Sequence, residues 1–167
     1  DDRDAQTFFA EVQNKLLYAV TRHTAAEIVV QRADADSPNM ALTSWKGARV
    51  RKQDVTIAKN YLSAEEVDTL NRLVVIFLEQ AELRAKQRKD LTLDYWRNNV
   101  DRLLEFNERP VLEGAGSISA KQAEQIAHER YEQFDAQRRH DEAREADAED
   151  LRELEALEKQ IKKEGDK

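Results

Sequence analysis

The chain has 167 residues, enough for one compact domain with an extension. Hydrophobic residues make up 40% of it and charged residues 37%, a balance typical of a soluble, helix-rich protein with a moderate core. The absence of cysteine excludes disulfides and thiolate metal sites, and no apolar stretch approaches the roughly 18 residues that a membrane span needs. These features fit a protein of the reducing cytoplasm with no membrane contact.

The net charge of −7 is spread unevenly along the chain. Residues 1–60 carry nine basic and eight acidic groups, whereas residues 119–167 carry ten basic and fifteen acidic groups. Any contact with nucleic acid is therefore expected in the first third. The chain opens on Asp1 with no recognisable signal peptide, so we expect a fragment of a longer protein.

Helical spacing of apolar residues predicts two helices in the first third of the chain. The first follows Asp4, a residue suited to an N-cap, and runs to about residue 21. The second opens at Thr24–Glu27, which has the spacing of a capping box. Residues 34–53 are the least helical part, because Asp, Ser, Pro and Asn interrupt the pattern there.

The segment that follows offers a hairpin and a short helix. Residues 42–50 are compatible with a small β-hairpin around Lys46-Gly47, a weaker turn signal than Asn-Gly. Asp54 is expected to cap a short helix that ends at Tyr61.

Leu62 to Arg88 is predicted to be one long helix, around which the rest of the chain is organised. Ser63 and Glu66 have the capping-box spacing at its start. Leu73–Leu78 is an unbroken apolar run, and a helix that is apolar all round is covered on several sides. We therefore expect this helix at the centre of the core.

Two further helices complete an all-α fold. One is predicted from Thr92 to Asn107, and after a flexible joint at 114–116 the last begins at a capping box, Ser119–Gln122. The last helix is amphipathic to about Phe134 and then highly charged. We predict a compact bundle of about five to six helices over residues 1–118. A long charged C-terminal helix, residues 119–167, would pack on it to about residue 134 and project beyond.

Several motifs occur together, in order, between about Ala5 and Phe134. They are Phe8-Phe9, Val12–Leu16, Thr24–Glu27, Arg32–Asp34, Pro38–Met40, Leu42–Trp45, Asp54–Leu62 and Ala115-Gly116. As a set they closely resemble the C-terminal half of the RhuM virulence-associated proteins. The charged tail lies outside the resemblance.

The resemblance implies a bacterial protein linked to pathogenicity islands and mobile elements. Family members usually carry an N-terminal half that resembles the DNA-binding segments of phage antirepressor-like proteins, and some relatives are fused to Fic-type domains. The family has no established molecular activity. Members commonly have His where this chain has Leu17 and Gly where it has Ala41, so a chemistry that needs that His is lacking here.

One candidate ligand site combines polar residues from two predicted helices. If they converge near residues 34–53, they would bind a phosphate or a carboxylate. The interpretation that we favour is structural, because the same side chains could satisfy the backbone polar groups of that loop. The residues are Gln13, Asn14, Lys15, Lys59 and Asn60. Arg32 and Asp34 are expected to pair across a helix end.

The densest basic cluster is a candidate nucleic-acid contact. It consists of Lys46, Arg49, Arg51 and Lys52. On a hairpin, Arg49 and Arg51 would share one face, which suits phosphate contacts, although a solvated loop explains the cluster equally well. We predict no metal site and no cofactor, because the three histidines are far apart and no nucleotide-binding glycine motif is present.

Two functions remain open from the sequence. The first is a non-enzymatic effector or oligomerisation domain that forms a homo-oligomer and makes at most a weak DNA contact. The second is a toxin-like enzyme that acts on nucleic acid or a nucleotide through the Gln13, Asn14, Lys15, Lys59 and Asn60 set.

Overall fold

The fold, taken from a computed structural model, consists of α-helices joined by loops and two short 3₁₀ turns; the structure describes residues 2–87 and 91–165. The described part contains no strand, and none of its helices has the length and apolar character that crossing a bilayer requires. The all-α prediction is confirmed. The helices are α1 (Asp2–Thr21), α2 (Ala25–Arg32), α3 (Ala64–Lys86), α4 (Leu93–Phe106) and α5 (Ala120–Gly165).

The centre of the bundle is formed by α1 and α2. Helix α1 packs against α2, α3 and α4, whereas α2 packs against α1, α5 and the 3₁₀ turn Ala58–Tyr61. The core between them is apolar, and its most deeply buried large side chains are Leu17, Ile28, Met40, Leu62 and Leu104.

The prediction that α3 is covered on several sides is wrong. Of its apolar residues only Leu70 and Leu73 are buried, and Phe77 meets Trp96 of α4 edge-on with ring centroids 6.1 Å apart. Val75 and Leu78 are 56% and 58% exposed. Helix α3 lies along α1 at the side of the bundle, so the β-branched run Leu73–Leu78 has a core side and an open side.

The hairpin predicted over residues 42–50 is also wrong. The carboxylate of Asp54, only 2% exposed, accepts the backbone N–H of Arg51 at 2.8 Å and that of Lys46 at 3.5 Å. The N–H of Thr43 is donated to the carbonyl of Asn60 at 2.7 Å. Because these donors pair with residues 54–60, they are not available for a ladder across the loop. Asp54 therefore organises the loop instead of capping a regular helix.

Helix α5 has 46 residues and is roughly 70 Å long. Arg130 donates to the carbonyl of Ala33 at 2.9 Å, and Arg138 donates to that of Val50 at 3.0 Å. Glu142 forms an ion pair with Arg49 at 2.7 Å. The packed part thus extends about two turns past Phe134. Among described residues, no hydrogen bond or ion pair joins 143–165 to the other helices. The division of the chain into a core and a projecting helix remains a prediction.

The three capping boxes form as the sequence indicated. Thr24 and Glu27 exchange hydrogen bonds at the start of α2, and Ser63 and Glu66 do so at the start of α3. Ser119 and Gln122 form the third at the start of α5, with distances of 3.0 and 3.1 Å. Asp4 is not the N-cap of the first helix, because α1 already includes Asp2.

Candidate functional site

Two of the five candidate ligand-binding residues, Gln13 and Lys59, line one groove between α1 and α3. Its volume is about 300 Å³, and its walls are mainly apolar. A third polar group, the amide of Asn71 on α3, also lines it. Sequence reasoning missed Asn71, because a single exposed amide on a long helix gives no local signal. The groove residues are Phe9, Val12, Gln13, Leu16, Leu17, Lys59, Leu70, Asn71 and Val74.

Asn14 and Lys15 are used differently. The side-chain oxygen of Asn14 accepts the backbone N–H of Ala25 at 3.0 Å, at the start of α2. The ammonium of Lys15 forms an ion pair of 2.7 Å with Asp101 on α4. Both side chains join helices, and both line a separate groove beside Gly114 and Ala115.

Asn60 belongs to the loop that Asp54 organises. Its side-chain amide donates to the backbone carbonyl of Asp54 at 3.0 Å, and its side-chain oxygen accepts from the hydroxyl of Ser44 at 3.3 Å. The five candidates therefore occupy two grooves and one loop, and they do not form a single polar cleft. A role for Gln13 and Lys59 in binding a ligand stays a prediction.

Leu17, where the family resemblance implies His in other members, lies in the wall of the groove that contains Gln13 and Lys59. It is 2% exposed and packs in the core. An imidazole at this position would stand beside both polar residues. In this chain the position offers only hydrocarbon, so proton transfer there is excluded.

The basic cluster lies in the loop before the 3₁₀ turn, and two of its members face acidic residues of α5. Arg49 pairs with Glu142 at 2.7 Å, and Lys52 pairs with Glu132 at 3.0 Å. All four side chains are at least half exposed, so each pair contributes at most about 1 kcal/mol to stability. Lys46 and Arg51 are exposed in the same loop.

Arg32 does not pair with Asp34 as predicted. Its guanidinium binds the carboxylate of Glu66 through two hydrogen bonds of 2.6 and 2.8 Å. These hydrogen bonds are the main reason why the pKa of Glu66 is lowered from 4.5 to about 2. Asp34 instead accepts the hydroxyl of Ser37 at 2.7 Å, and that bond is the main cause of its lowered pKa.

The segment 114–116 is docked against the start of α2. The hydroxyl of Ser117 donates to Glu27 at 2.6 Å, and this bond is the main reason why the pKa of Glu27 is lowered from 4.5 to about 2. Gly116 comes so close to Thr24 that an added Cβ would lie 2.6 Å from its methyl group. Together with Asn14, these residues form a structural junction around one helix start. Across residues 2–87 and 91–165, no group of three or more His, Cys, Asp or Glu could hold a metal ion.

The family model of the virulence protein RhuM family matches residues 1–142. The chain belongs to the RhuM family. No curated protein and no solved structure matches the sequence. The part matched by the RhuM family model ends at Glu142, which is also where α5 makes its ion pair with the loop residue Arg49. Asn14, Thr24 and Gly116, which lie within the matched residues, meet at the start of α2.

Proposed function

We propose that this RhuM-family chain is an effector domain that works by self-association in the bacterial cytoplasm, alongside a DNA-binding segment of the kind that the family resemblance implies. One observation carries the proposal. The end of α5 presents a stripe of large apolar side chains to water. This tail stripe consists of Leu151, Leu154, Leu157 and Ile161, which are 58%, 63%, 54% and 69% exposed.

The spacing of the tail stripe supports a helical partner. Leu154, Leu157 and Ile161 follow each other at three and four residues, so they lie on one side of α5. A row of exposed leucines on an otherwise charged helix is typical of a surface that another protein covers. Covering it is favourable by about 25 cal/mol for each Å² of apolar surface removed from water.

Light scattering after size-exclusion chromatography tests the proposal. The full chain is compared with a version that ends at Glu142, the last residue of α5 that pairs with the loop. We expect a dimer or larger assembly for the full chain and a monomer for the shorter version. Ala156→Gln, on the opposite side of α5 from the tail stripe, is the matched control and should leave the mass unchanged. If both versions are monomers, self-association through the tail is ruled out.

The alternative function is an enzyme that acts on nucleic acid or a nucleotide. It is supported by Gln13 and Lys59, which line one groove with an apolar wall; an ammonium and an amide there suit a phosphate or carboxylate. Calorimetric titration with nucleoside monophosphates tests it, with Lys59→Ala as the variant and Lys46→Ala as the matched control. Loss of the heat of binding in the Lys59→Ala variant alone would favour this alternative. Equal heats for the two variants would show that Lys59 does not bind the nucleotide.

A further inference from the structure

Helix α3 carries a second exposed apolar surface, at some distance along the chain from the tail stripe. This α3 face consists of Val75, Ile76, Leu78 and Leu83, which are 56%, 37%, 58% and 58% exposed. Since successive helix residues are rotated by about 100°, Val75 lies in the middle, between Leu78 on one side and Ile76 and Leu83 on the other. The α3 face is about as long as the last three members of the tail stripe, because Val75 to Leu83 and Leu154 to Ile161 each extend over roughly 10–12 Å.

From the proposed self-association, we infer that the α3 face of one copy is covered by the tail stripe of a second copy, and that the contact is reciprocal. The two helices run antiparallel in this arrangement. Each copy contributes one tail stripe and one α3 face, so a symmetric pair closes on itself and leaves neither surface exposed. The occupant of the α3 face is thus a second copy of this chain.

Surface area favours this arrangement over a pair held by the tails alone. At the observed exposures each tail-stripe side chain would remove roughly 100 Å² from water, so a tail–tail contact buries only about 400 Å² of apolar surface per chain. A stable interface buries about 800 Å² of total surface per partner, somewhat more than half of it apolar. The α3 face supplies about the same area as the tail stripe, so the reciprocal contact exceeds the apolar area of such an interface, which a tail–tail contact falls short of.

Charge also disfavours a parallel coiled coil of tails. Asp147 and Asp150 precede Leu154 at intervals of seven and four residues, so both acids lie on the line of the tail stripe. In a parallel pair these carboxylates would face their own copies at core positions, where unpaired charge is costly. The apolar line is therefore too short for the tails to pair stably with each other.

Antiparallel docking on α3 places opposite charges together. Helix α3 ends in the basic residues Arg84 and Lys86. When Ile161 lies near Val75 and Leu154 near Leu83, Asp147 and Asp150 of α5 approach this basic end.

The test measures the mass of the full chain and of two variants by light scattering. Val75→Glu/Leu78→Glu changes the α3 face, and Leu154→Glu/Leu157→Glu changes the tail stripe. Each is expected to raise the dissociation constant of the dimer at least ~100-fold, because it places charge in an apolar contact. Phe106→Glu is the matched control, since Phe106 is 86% exposed outside both surfaces. The control should leave the dimer intact. Loss of the dimer in the Phe106→Glu variant would overturn the assignment of the contact to the α3 face.

Mixing the two variants separates the inference from the proposed function. In the mixture, the intact tail of the α3 variant docks on the intact α3 face of the tail variant, while the second contact is lost. The mixture is therefore expected to associate more tightly than either variant alone and more weakly than the parent chain. A tail–tail pair predicts that the α3 variant keeps its dimer. That result would overturn the inference and leave self-association standing, whereas a monomeric parent chain would overturn both.

Cross-linking gives a second measurement that does not depend on disruptive substitutions. The natural chain has no cysteine, so Leu83→Cys and Leu154→Cys can be made singly and mixed under mild oxidation. The antiparallel contact predicts a disulfide between the two variants as the main product. Ala156→Cys, mixed with Leu83→Cys in place of Leu154→Cys, is the control and should not form this cross-link. A homodimer of the Leu154→Cys chain as the main product would overturn the inference.

Discussion

The guanidinium of Arg32, on the last turn of α2, binds the carboxylate of Glu66, on the first turn of α3, through two hydrogen bonds of 2.6 and 2.8 Å. The same guanidinium donates to the carbonyl of Tyr61 at 3.0 Å. Glu66 also closes the capping box with Ser63. One cap residue therefore starts α3 and fixes that helix to α2, across a gap of 34 positions in the chain.

Glu66→Gln tests the strength of this link. Glutamine keeps an oxygen for the backbone of Ser63 but loses the charge that pairs with Arg32. We expect the free energy of unfolding to fall by about 2 kcal/mol, since a partly buried, two-bonded ion pair is broken on one side. Urea unfolding measures the change. Glu65→Gln removes the same charge from an exposed neighbour and should stay within about 0.5 kcal/mol of the parent. Equal losses for both variants would contradict a special role for Glu66.

Acid is expected to destabilise the fold through Glu66 and Glu27. The pKa of each carboxyl is lowered from 4.5 to about 2, mainly by hydrogen bonds from Arg32 and from Ser117, respectively. Between these values the unfolded chain binds more protons than the native one, so stability falls as the pH is lowered. The contribution is complete above about pH 4.5 and is lost progressively towards pH 2. Urea unfolding at pH 7, 5, 4 and 3 measures it.

The Glu66→Gln variant serves again as the control for the acid effect. Since it lacks one of the two carboxyls with a strongly lowered pKa, its free energy of unfolding should depend less steeply on pH below 4.5 than that of the parent chain. Parallel curves for the two proteins would show that Glu66 does not contribute to acid sensitivity.

Gly116→Ala is expected to destabilise the junction at the start of α2 more than Gly114→Ala does. Both glycines have a positive φ, 84° and 79°, so alanine is strained at each. Only at Gly116 would the new Cβ also collide, at 2.6 Å from the methyl group of Thr24. The difference between the two melting curves therefore isolates the collision, which we expect to cost about 1–3 kcal/mol. Equal melting temperatures would mean that Thr24 moves away freely.

Much of this fold follows from local sequence signals, and the errors have a common physical cause. Capping boxes such as Thr24–Glu27 depend on residues three apart, so the sequence predicts them correctly. The cover of α3 and the loop around Asp54 depend on partners distant in the chain, which periodicity does not reveal. The run Leu73–Leu78 is apolar on both sides, although only one side packs in the core. The five candidate ligand-binding residues do not converge for the same reason, because Asn14 and Lys15 have partners on α2 and α4.

Ala41→Gly should stabilise the protein. Ala41 has a φ of 62°, in the left-handed region that glycine adopts without strain. Relief of this strain is expected to raise the free energy of unfolding by about 1 kcal/mol, after the entropy cost of glycine is counted. Ala26→Gly, inside α2, is the control and should lower it by about 0.5–1 kcal/mol. A loss of stability at position 41 would contradict the argument.

The last prediction concerns DNA. The basic cluster has four residues, and each phosphate that one of them neutralises releases counterions. The logarithm of the binding constant should therefore fall with the logarithm of the salt concentration with a slope no steeper than about 4. Arg49 and Lys52 already pair with Glu142 and Glu132, so phosphates must displace these acids. We therefore expect a slope nearer to about 2 and weak, non-specific binding to labelled duplex.

Glu132→Gln/Glu142→Gln should release both basic residues, strengthen binding and steepen the slope by about 2. Glu153→Gln/Glu155→Gln changes the net charge equally at exposed positions of α5 away from the loop, so it separates local release from the general loss of negative charge. Arg49→Glu/Arg51→Glu should abolish binding. If the parent chain does not bind at low salt, or the charge-reversed variant binds as well as the parent, the loop is not a nucleic-acid surface. Arg49 and Lys52 then serve only to hold α5 against the core.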